Sequence, residues 1–434
     1  MSSTAINQEL LAAAVRSIPP GDLGSMRQRA VEKFATTGFP TAKDEDWKYT
    51  NLGAAAELSN NWLRSFDGAA VNDSSPTTDV AAIVRLTEAV DADWIVIRNG
   101  IVDSATLAAA VAATKGDITI SHLQNDSVID QLDVGDPMSA FNAALLRDGL
   151  HIRAGKNTQR EKPIGLIYVD DSAEEVSLAR VVVECADNSR LKIVEYAYSE
   201  GAAKFSSVVT QVNMATGARL DYSRIQERDP AHVGVNRLNA TLAKDALLNH
   251  SAFDLGSALA RNDIVVEITG AGVEANLHGL YLTSEKQHVD NHLRMIHCVG
   301  PSLSMQNYRG ILSGHSRCVF NGKAEVLKGA DGTDANQRNH NLLLSDRAEI
   351  DTKPELEIYA DDVKCSHGAT VGQLDESAIF YLRTRGLSEE NAKLLLTRAF
   401  VAEILDALTI DECRGYLSES VQRRLDQLID GGAQ

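Results

Sequence analysis

No stretch of this chain approaches eighteen uninterrupted apolar residues, so no membrane-spanning helix is expected. The first residues, Met-Ser-Ser-Thr-Ala-Ile-Asn-Gln-Glu, have no basic run followed by an apolar one, which argues against a secretory signal. Cysteine is scarce and badly arranged for cross-linking. The five residues Cys185, Cys298, Cys318, Cys365 and Cys413 are odd in number, far apart, and contain no Cys-x-x-Cys. That excludes a disulfide framework and argues against a zinc or iron–sulfur site built from four cysteines of one chain. It fits a reducing cytoplasm, the expected location. Positive charge is also short: 42 Lys and Arg stand against 60 Asp and Glu, a formal charge of −18. So acidic a chain is a poor candidate for general binding to nucleic acid or anionic membranes. Gly-x-x-x-x-Gly-Lys-[Ser/Thr] and Gly-x-Ser-x-Gly do not occur, which removes a phosphate loop and an α/β-hydrolase nucleophile elbow.

What is present reads as helix, then strand, then helix. Leu10, Leu11, Ala14, Val15 and Ile18 recur at helical spacing before Pro19-Pro20, and a second helix is predicted over Met26 to Phe34. Gly38 and Pro40 break that pattern ahead of the charged run around Trp47. Val71 to Thr78 reads as a linker. Trp94 to Ile97 is a strand candidate closed by an Asn99-Gly100 turn, with short helices over Ala105 to Ala113 and Phe141 to Leu146. The expected organisation is a helical region over 1–78, a mixed lead-in over 79–163, a β core over 164–372 and a helical domain over 373–434.

Within the core, β-rich runs follow one another with Gly, Asn and Asp between them. Ala179 to Glu184, Leu191 to Glu195, Val208 to Val212, Asp263 to Ile268 and Leu277 to Leu282 are examples. Long helical patterns are missing between the strands. That argues against a doubly wound α/β sheet and leaves a sandwich, a barrel or a solenoid. Ala218-Arg-Leu220, Ala246-Leu-Leu248 and Val273-Glu-Ala275 fall at nearly equal steps, which favours a parallel β-helix. In the last zone Ser388 is the expected N-cap of a helix carrying Leu394, Leu395, Val401, Ala402 and Leu405. A second helix is predicted over Leu417 to Ile429, with Val421, Leu425 and Leu428 on one face. Arg383, Arg385, Arg398, Arg423 and Arg424 make this end locally basic. It reads as a cap on the solenoid or as a docking surface.

Chemistry is concentrated in Val363-Lys-Cys-Ser-His-Gly-Ala-Thr370. Residues i and i+2 of a strand share a face, so Cys365 and His367 present a soft sulfur and an imidazole nitrogen together. Such a pair holds a soft metal or makes a reactive thiolate. The bland alternative is a buried cysteine that only packs. Apolar residues sit at even positions from Leu356 to Ala360 and at odd ones at Val363 and Cys365. The chain therefore turns a corner near Asp361-Asp362, leaving Cys365 facing either a core or a surface that another protein covers. His288, His292, His297 and Cys298 form a second cluster. Val289 stands where His-Glu-x-x-His needs Glu, so polar residues on a solenoid face are favoured over a metal site. Gly270-Ala-Gly-Val-Glu-Ala275 matches a loose dinucleotide fingerprint, but a strand pattern follows where a helix is required.

Several runs together resemble the SufD family of the SUF iron–sulfur assembly system. They are Gly38-Phe-Pro-Thr to Asp46-Trp-Lys-Tyr-Thr50, Gln287-His-Val-Asp-Asn-His292, Val319-Phe-Asn-Gly-Lys323, Asn341 to Asp346, Lys353 to Gly372, and Phe380-Tyr-Leu-Arg-Thr-Arg-Gly-Leu387. The related SufB family carries a different run in place of Cys-Ser-His-Gly, and residues from about 52 to 160 match only loosely. The resemblance implies a right-handed parallel β-helix between helical ends. It implies a non-catalytic scaffold subunit that pairs with SufB through the ends of their β-helices and carries the SufC ATPase on its C-terminal helices. Cys365 and His367 would then lie at the subunit interface and help hold transient iron or a nascent cluster, with no cofactor bound tightly by the isolated chain. Tyr381, Leu382, Arg385 and Phe400 are the expected contacts to SufC, and Cys298 and Cys318 are expected to pack. The family's complex is associated with reduced flavin, but the sequence identifies no flavin site. Other classes remain open: a β-helix enzyme on acidic polysaccharide, a thiol enzyme using Cys365 with His367 as base, and a homodimeric structural protein without metal.

Overall fold

The computed structural model describes residues 5–19, 21, 23–68, 80–114, 116, 118–123, 128–129, 132, 134–171 and 174–431. The linker expected over Val71 to Thr78 lies outside them. Two sheets, of ten and nine strands, run side by side. From Ile164 onward successive strands alternate between the sheets, and every pairing is parallel. This is the solenoid the near-regular spacing predicts. The repeated phrases stack: Leu220 pairs with Leu248, and Leu248 with Ala275. The strand candidate at Trp94 to Ile97 extends over Asp93–Arg98 and joins the ten-stranded sheet beside Ile164–Asp170.

The interior is filled by one column of side chains per inward position. Parallel in-register neighbours share a face, so a column keeps its direction along the whole sheet. Leu191, Leu220, Leu248 and Ala275 form one such column, and all belong to the main apolar core. Corners between strands use left-handed residues, Asp245 at φ 56° and Gly272 at φ 75° among them. Gly272 suits this corner because its φ is positive, a conformation that side-chain-bearing residues adopt at a cost.

Helices cover the outside. α1 (Gln8–Ser17), α2 (Gly24–Thr37), α3 (Gly53–Ser65) and α6 (Pro137–Leu145) enclose a core that includes Phe34, Phe39, Phe141 and Phe205. α4 (Ala81–Ala89) packs elsewhere, and α5 (Ser104–Thr114) lies against the first strand. α7 (Glu376–Thr384), α8 (Glu389–Asp406) and α9 (Arg414–Gly431) follow the last strand. α8, α9 and α4 bury the outer face of the ten-stranded sheet, through Tyr196, Ile225, Phe253 and Leu280.

One expectation about these helices needs correction. α8 buries Ala392, Thr397, Val401 and Ile404, whereas Leu395 is 45% exposed, because the helix is rotated so that Phe400 and Ile404 meet the sheet. Ser388 does cap it, accepting from the Asn391 amide at 3.1 Å. The fingerprint-like Gly270 to Ala275 forms a corner and then the strand Val273–Thr283, as the following pattern requires.

Interior aromatics need glycine opposite them. A Cβ on Gly310 would come within 2.1 Å of the buried Tyr281 ring. Tyr281 cannot swing away, because its hydroxyl donates to Asn341 and accepts from Asn339. Gly310→Ala is expected to cost about 1–3 kcal/mol through overpacking. A lowered urea midpoint with an unchanged slope checks this, and an unaltered midpoint refutes it.

Candidate functional site at the open end of the solenoid

The two ends of the solenoid differ. At the start, the short strands Ile101–Val102 and Ile118–His122 end the two sheets, pairing antiparallel with Asp93–Arg98 and Leu150–Ala154 respectively. At the finish, Glu349–Ile358 and Val363–Gly372 are the terminal strands, each paired on one side only among the described residues. Nearly every residue of the earlier strands is buried or half-buried, but the final strand is exposed at almost every position. Ile358, Tyr359 and Val371 leave large apolar surface there, at 42, 61 and 49% exposure. An open strand edge with apolar neighbours is a template for pairing with another chain.

Cys365 and His367 stand on this last strand. Cys365 pairs with Ala335, which continues the inward column of Ala275 and Ser304. His367 pairs with Gln337, above Gln306 and Leu277. All of these lower residues are at most 5% exposed. Both side chains therefore continue the interior columns into the uncapped end. The alternatives for Cys365, core or covered face, merge: it faces the core direction at a coil that no strand among the described residues continues. The corner between Ile358 and Val363 accounts for the phase slip in the sequence.

The electrostatics do not favour a nucleophile. Partial burial pushes the Cys365 thiol above its ordinary value, and the Asp334 carboxylate adds to the effect, opposed by the Ala335 backbone. An activated thiol requires the opposite shift. Metal ligation needs no such activation, because a metal displaces the thiol proton.

The second histidine cluster has a different use. His288 and His292 lie on the outer face of the nine-stranded sheet with Asp290 between them. The segment Gly38 to Thr50 crosses this face as a strap. Arg261 is the hub. Its Nη1 reaches Asp290 Oδ2 at 2.5 Å and the Asp46 carbonyl at 2.8 Å, while its Nη2 holds Asp263 at 2.7 Å. The guanidinium lies 4.3 Å from the Trp47 ring centre. Thr50 donates to Asp290 and meets His288 Nε2 at 2.8 Å. His292 Nε2 comes within 3.1 Å of Asp290 but out of line for a hydrogen bond. Arg261 holds the Asp290 carboxyl well below the usual range despite complete burial. His297 points the other way, into the interior, bonded to Ser302 and Ser304. No group of three or more candidate metal ligands occurs among the described residues. Cys318 packs in the core as expected. Cys298 does not: it is half-buried at a strand end, with its sulfur 3.7 Å from Glu267.

The expected docking residues sit on the helices that follow the last strand, and Phe400 lines one hollow with Thr370, Val371 and Gly372 of that strand. Tyr381 is exposed on α7 beside Phe380, Arg385 lies over the Tyr381 ring at 5.2 Å, and Leu382 is half-buried. Phe400 is half-buried on α8, with Arg309 stacked on its ring at 5.0 Å.

Comparison with known proteins agrees with this architecture. The family model described as "SUF system FeS cluster assembly, SufBD core domain" matches residues 168–400, and that of the "SufBD protein N-terminal region" matches 13–68. The chain belongs to the SufBD family. SufD of Escherichia coli, a named iron–sulfur cluster assembly protein, is 32% identical over 94% of this chain and 93% of its own length. A SufBD family protein of Synechocystis is 28% identical over 97% of this chain and 96% of its own. SufD of Bacillus subtilis is 23% identical over 94% of each. The resemblance drawn from the motifs is thereby borne out. The SufBD core match takes in the open end with Cys365 and His367, and the N-terminal match takes in the strap. The two family models leave 69–167 between them unmatched, where the motif resemblance is also loose.

No helix among the described residues is long and apolar enough to cross a membrane.

Proposed function

We propose that this chain is a non-catalytic scaffold subunit of iron–sulfur cluster assembly, pairing with a SufB subunit through the open end of its solenoid. Cys365 and His367 help hold iron or a nascent cluster at that junction. The observation that carries this reading is their position: a thiol and an imidazole on one face of a terminal strand whose outer edge has no partner among the described residues, at the mouth of the interior. Thiolate and imidazole both ligate iron. Two ligands leave a site unfinished, so the partner completes it.

Coexpression of the chain with SufB and SufC, followed by affinity capture, tests the pairing. A stable ternary complex is expected, and its absence would overturn the assignment of partners. The C-terminal helices are the surface for SufC, through Tyr381, Leu382, Arg385 and Phe400. Phe380 and Tyr381, at 69 and 56% exposure, form the apolar patch nearest these positions. Changing both to Ala is expected to weaken SufC capture at least tenfold while thermal unfolding of the isolated chain stays put, since exposed side chains carry little stability. Undiminished capture would sink this docking surface.

A further inference from the structure

A cleft of about 230 Å³ lies between α4, α9 and the outer face of the ten-stranded sheet, far along the solenoid from Cys365. Its lining holds four arginines, Arg85, Arg228, Arg423 and Arg424, against one carboxylate, Glu227. In a chain of formal charge −18 this is a marked local reversal.

Arg228 and Arg423 each meet one carboxylate, Asp170 and Glu227, whereas the hydrogen bonds of Arg424 reach none. Glu227 is already engaged: its Oε2 accepts from the Tyr196 and Tyr416 hydroxyls at 3.0 and 2.6 Å, and its Oε1 meets Arg423 at 3.4 Å. The hydrogen bonds of Arg424 all go to neutral oxygens, of Leu282, Ser284, Gln287 and Gln427. Burial pulls Arg424 below the ordinary arginine value, with only Glu285 opposing. Arg228 is 3% exposed and uses its Nε on Asp170 at 3.1 Å, while its Nη2 has no hydrogen-bond partner. A buried, unpaired guanidinium nitrogen costs stability unless something is bound to it. The Tyr198 ring adds a flat wall. A second hollow of about 240 Å³ adjoins the first, shares Arg85, Ser420 and Arg423 with it, and adds two carboxylates, Glu88 and Glu419, so the positive lining is confined to the first hollow.

We propose that this arginine-lined cleft binds a phosphorylated small molecule through its diphosphate group. Guanidinium groups match phosphate oxygens in pairs, and several converging on one hollow favour more than one phosphoryl group. The adjoining hollow gives room for the remainder of the molecule. The site is separate from the open end, and its test needs neither iron nor a partner subunit.

Calorimetric titration of the full chain with inorganic diphosphate, ADP and chloride at matched ionic strength tests the proposal. Saturable binding of diphosphate is expected, weakened about tenfold or more by Arg85→Glu and by Arg423→Gln, both surface changes that leave thermal unfolding unaltered. Tighter binding of ADP than of diphosphate makes the ligand a nucleotide, whereas equal binding makes the diphosphate alone the recognised group, and both uphold the site. No saturable binding, a chloride response as strong as that to diphosphate, or affinities unmoved by both variants would overturn it.

Discussion

His367→Ala in the assembled complex is expected to strip most of the iron and sulfide from the purified scaffold while leaving the complex itself intact. His367 is exposed on the terminal strand, so removing its ring opens no cavity and leaves no buried group unsatisfied. Changes at such positions stay within about 0.5 kcal/mol of wild-type stability. Loss of one ligand from a site that depends on ligands from two chains has a much larger effect, because the remaining donors must hold the metal with an open position. The expected loss is at least tenfold in iron per complex, assayed anaerobically after copurification. Cys365→Ser separates softness from shape: the hydroxyl keeps the size of the side chain but is a harder, far less acidic donor. Loss of iron in both variants, with normal complex yield, is the expected pattern. Unchanged iron in His367→Ala would make the pair a packing feature of the junction. Loss of the complex itself would mean that the strand, rather than the site, had been disturbed.

Much of this arrangement is legible in the residues alone, and the reasons are specific. The solenoid is readable because its repeat imposes itself on sequence: Leu220, Leu248 and Ala275 must occupy one column, so similar phrases recur at similar steps. The Asn99-Gly100 turn is readable because both residues take positive φ there, at 49° and 81°. Cys365 and His367 are readable as a pair because a strand fixes i and i+2 on one face. That they stand at an uncapped end is not readable, since it depends on no further coil following Val363–Gly372, a fact of the whole stack. The meeting of Trp47 and Thr50 with Arg261 and Asp290 is hidden for a related reason. More than 200 residues separate these groups in the chain, and no local pattern encodes that approach. Each run is conspicuous by itself, Asp46-Trp-Lys-Tyr-Thr50 for its aromatics and His288 to His292 for its histidines. The histidines suggest a metal only while their neighbour across space is unknown. Leu395 misleads through periodicity: helical spacing gives the stripe, but tertiary packing chooses which flank of it is buried.

The strap yields the largest expected stability effect. Arg261→Ala is expected to destabilise the chain by about 3–5 kcal/mol, the range for removing one partner of a buried ion pair. Arg261 and Asp290 side chains are each 1% exposed, so Asp290 would lose its main counter-ion at a site closed to water, and either its charge or its protonation there costs stability. The Trp47 ring would also lose the cation stacked on it, a smaller contribution of about 1–2 kcal/mol. Arg261→Met with Asp290→Leu removes both charges and is expected to be less destabilised than Arg261→Ala, because most of the cost lies in the stranded carboxylate rather than in a missing attraction. The pH dependence follows from the direction of the Asp290 shift. Its folded value is depressed, so its contribution is fully present above the unfolded aspartate value of about 3.9 and is lost as pH falls toward the folded value. The stability gap between wild type and Asp290→Asn is therefore expected to be widest at neutral pH and to narrow below about pH 4. Urea unfolding across that range measures it, and a gap that widens in acid would contradict the assignment of Asp290 as the buried charge. Limited proteolysis supplies the structural readout. With Arg261 gone, the Asp46 carbonyl and the Trp47 ring lose their anchor on the sheet, so cleavage between Gly38 and Thr50 should appear before any cut in the solenoid. Protection of that segment in Arg261→Ala would mean that the phenylalanine cluster around Phe39, rather than the arginine, holds the strap.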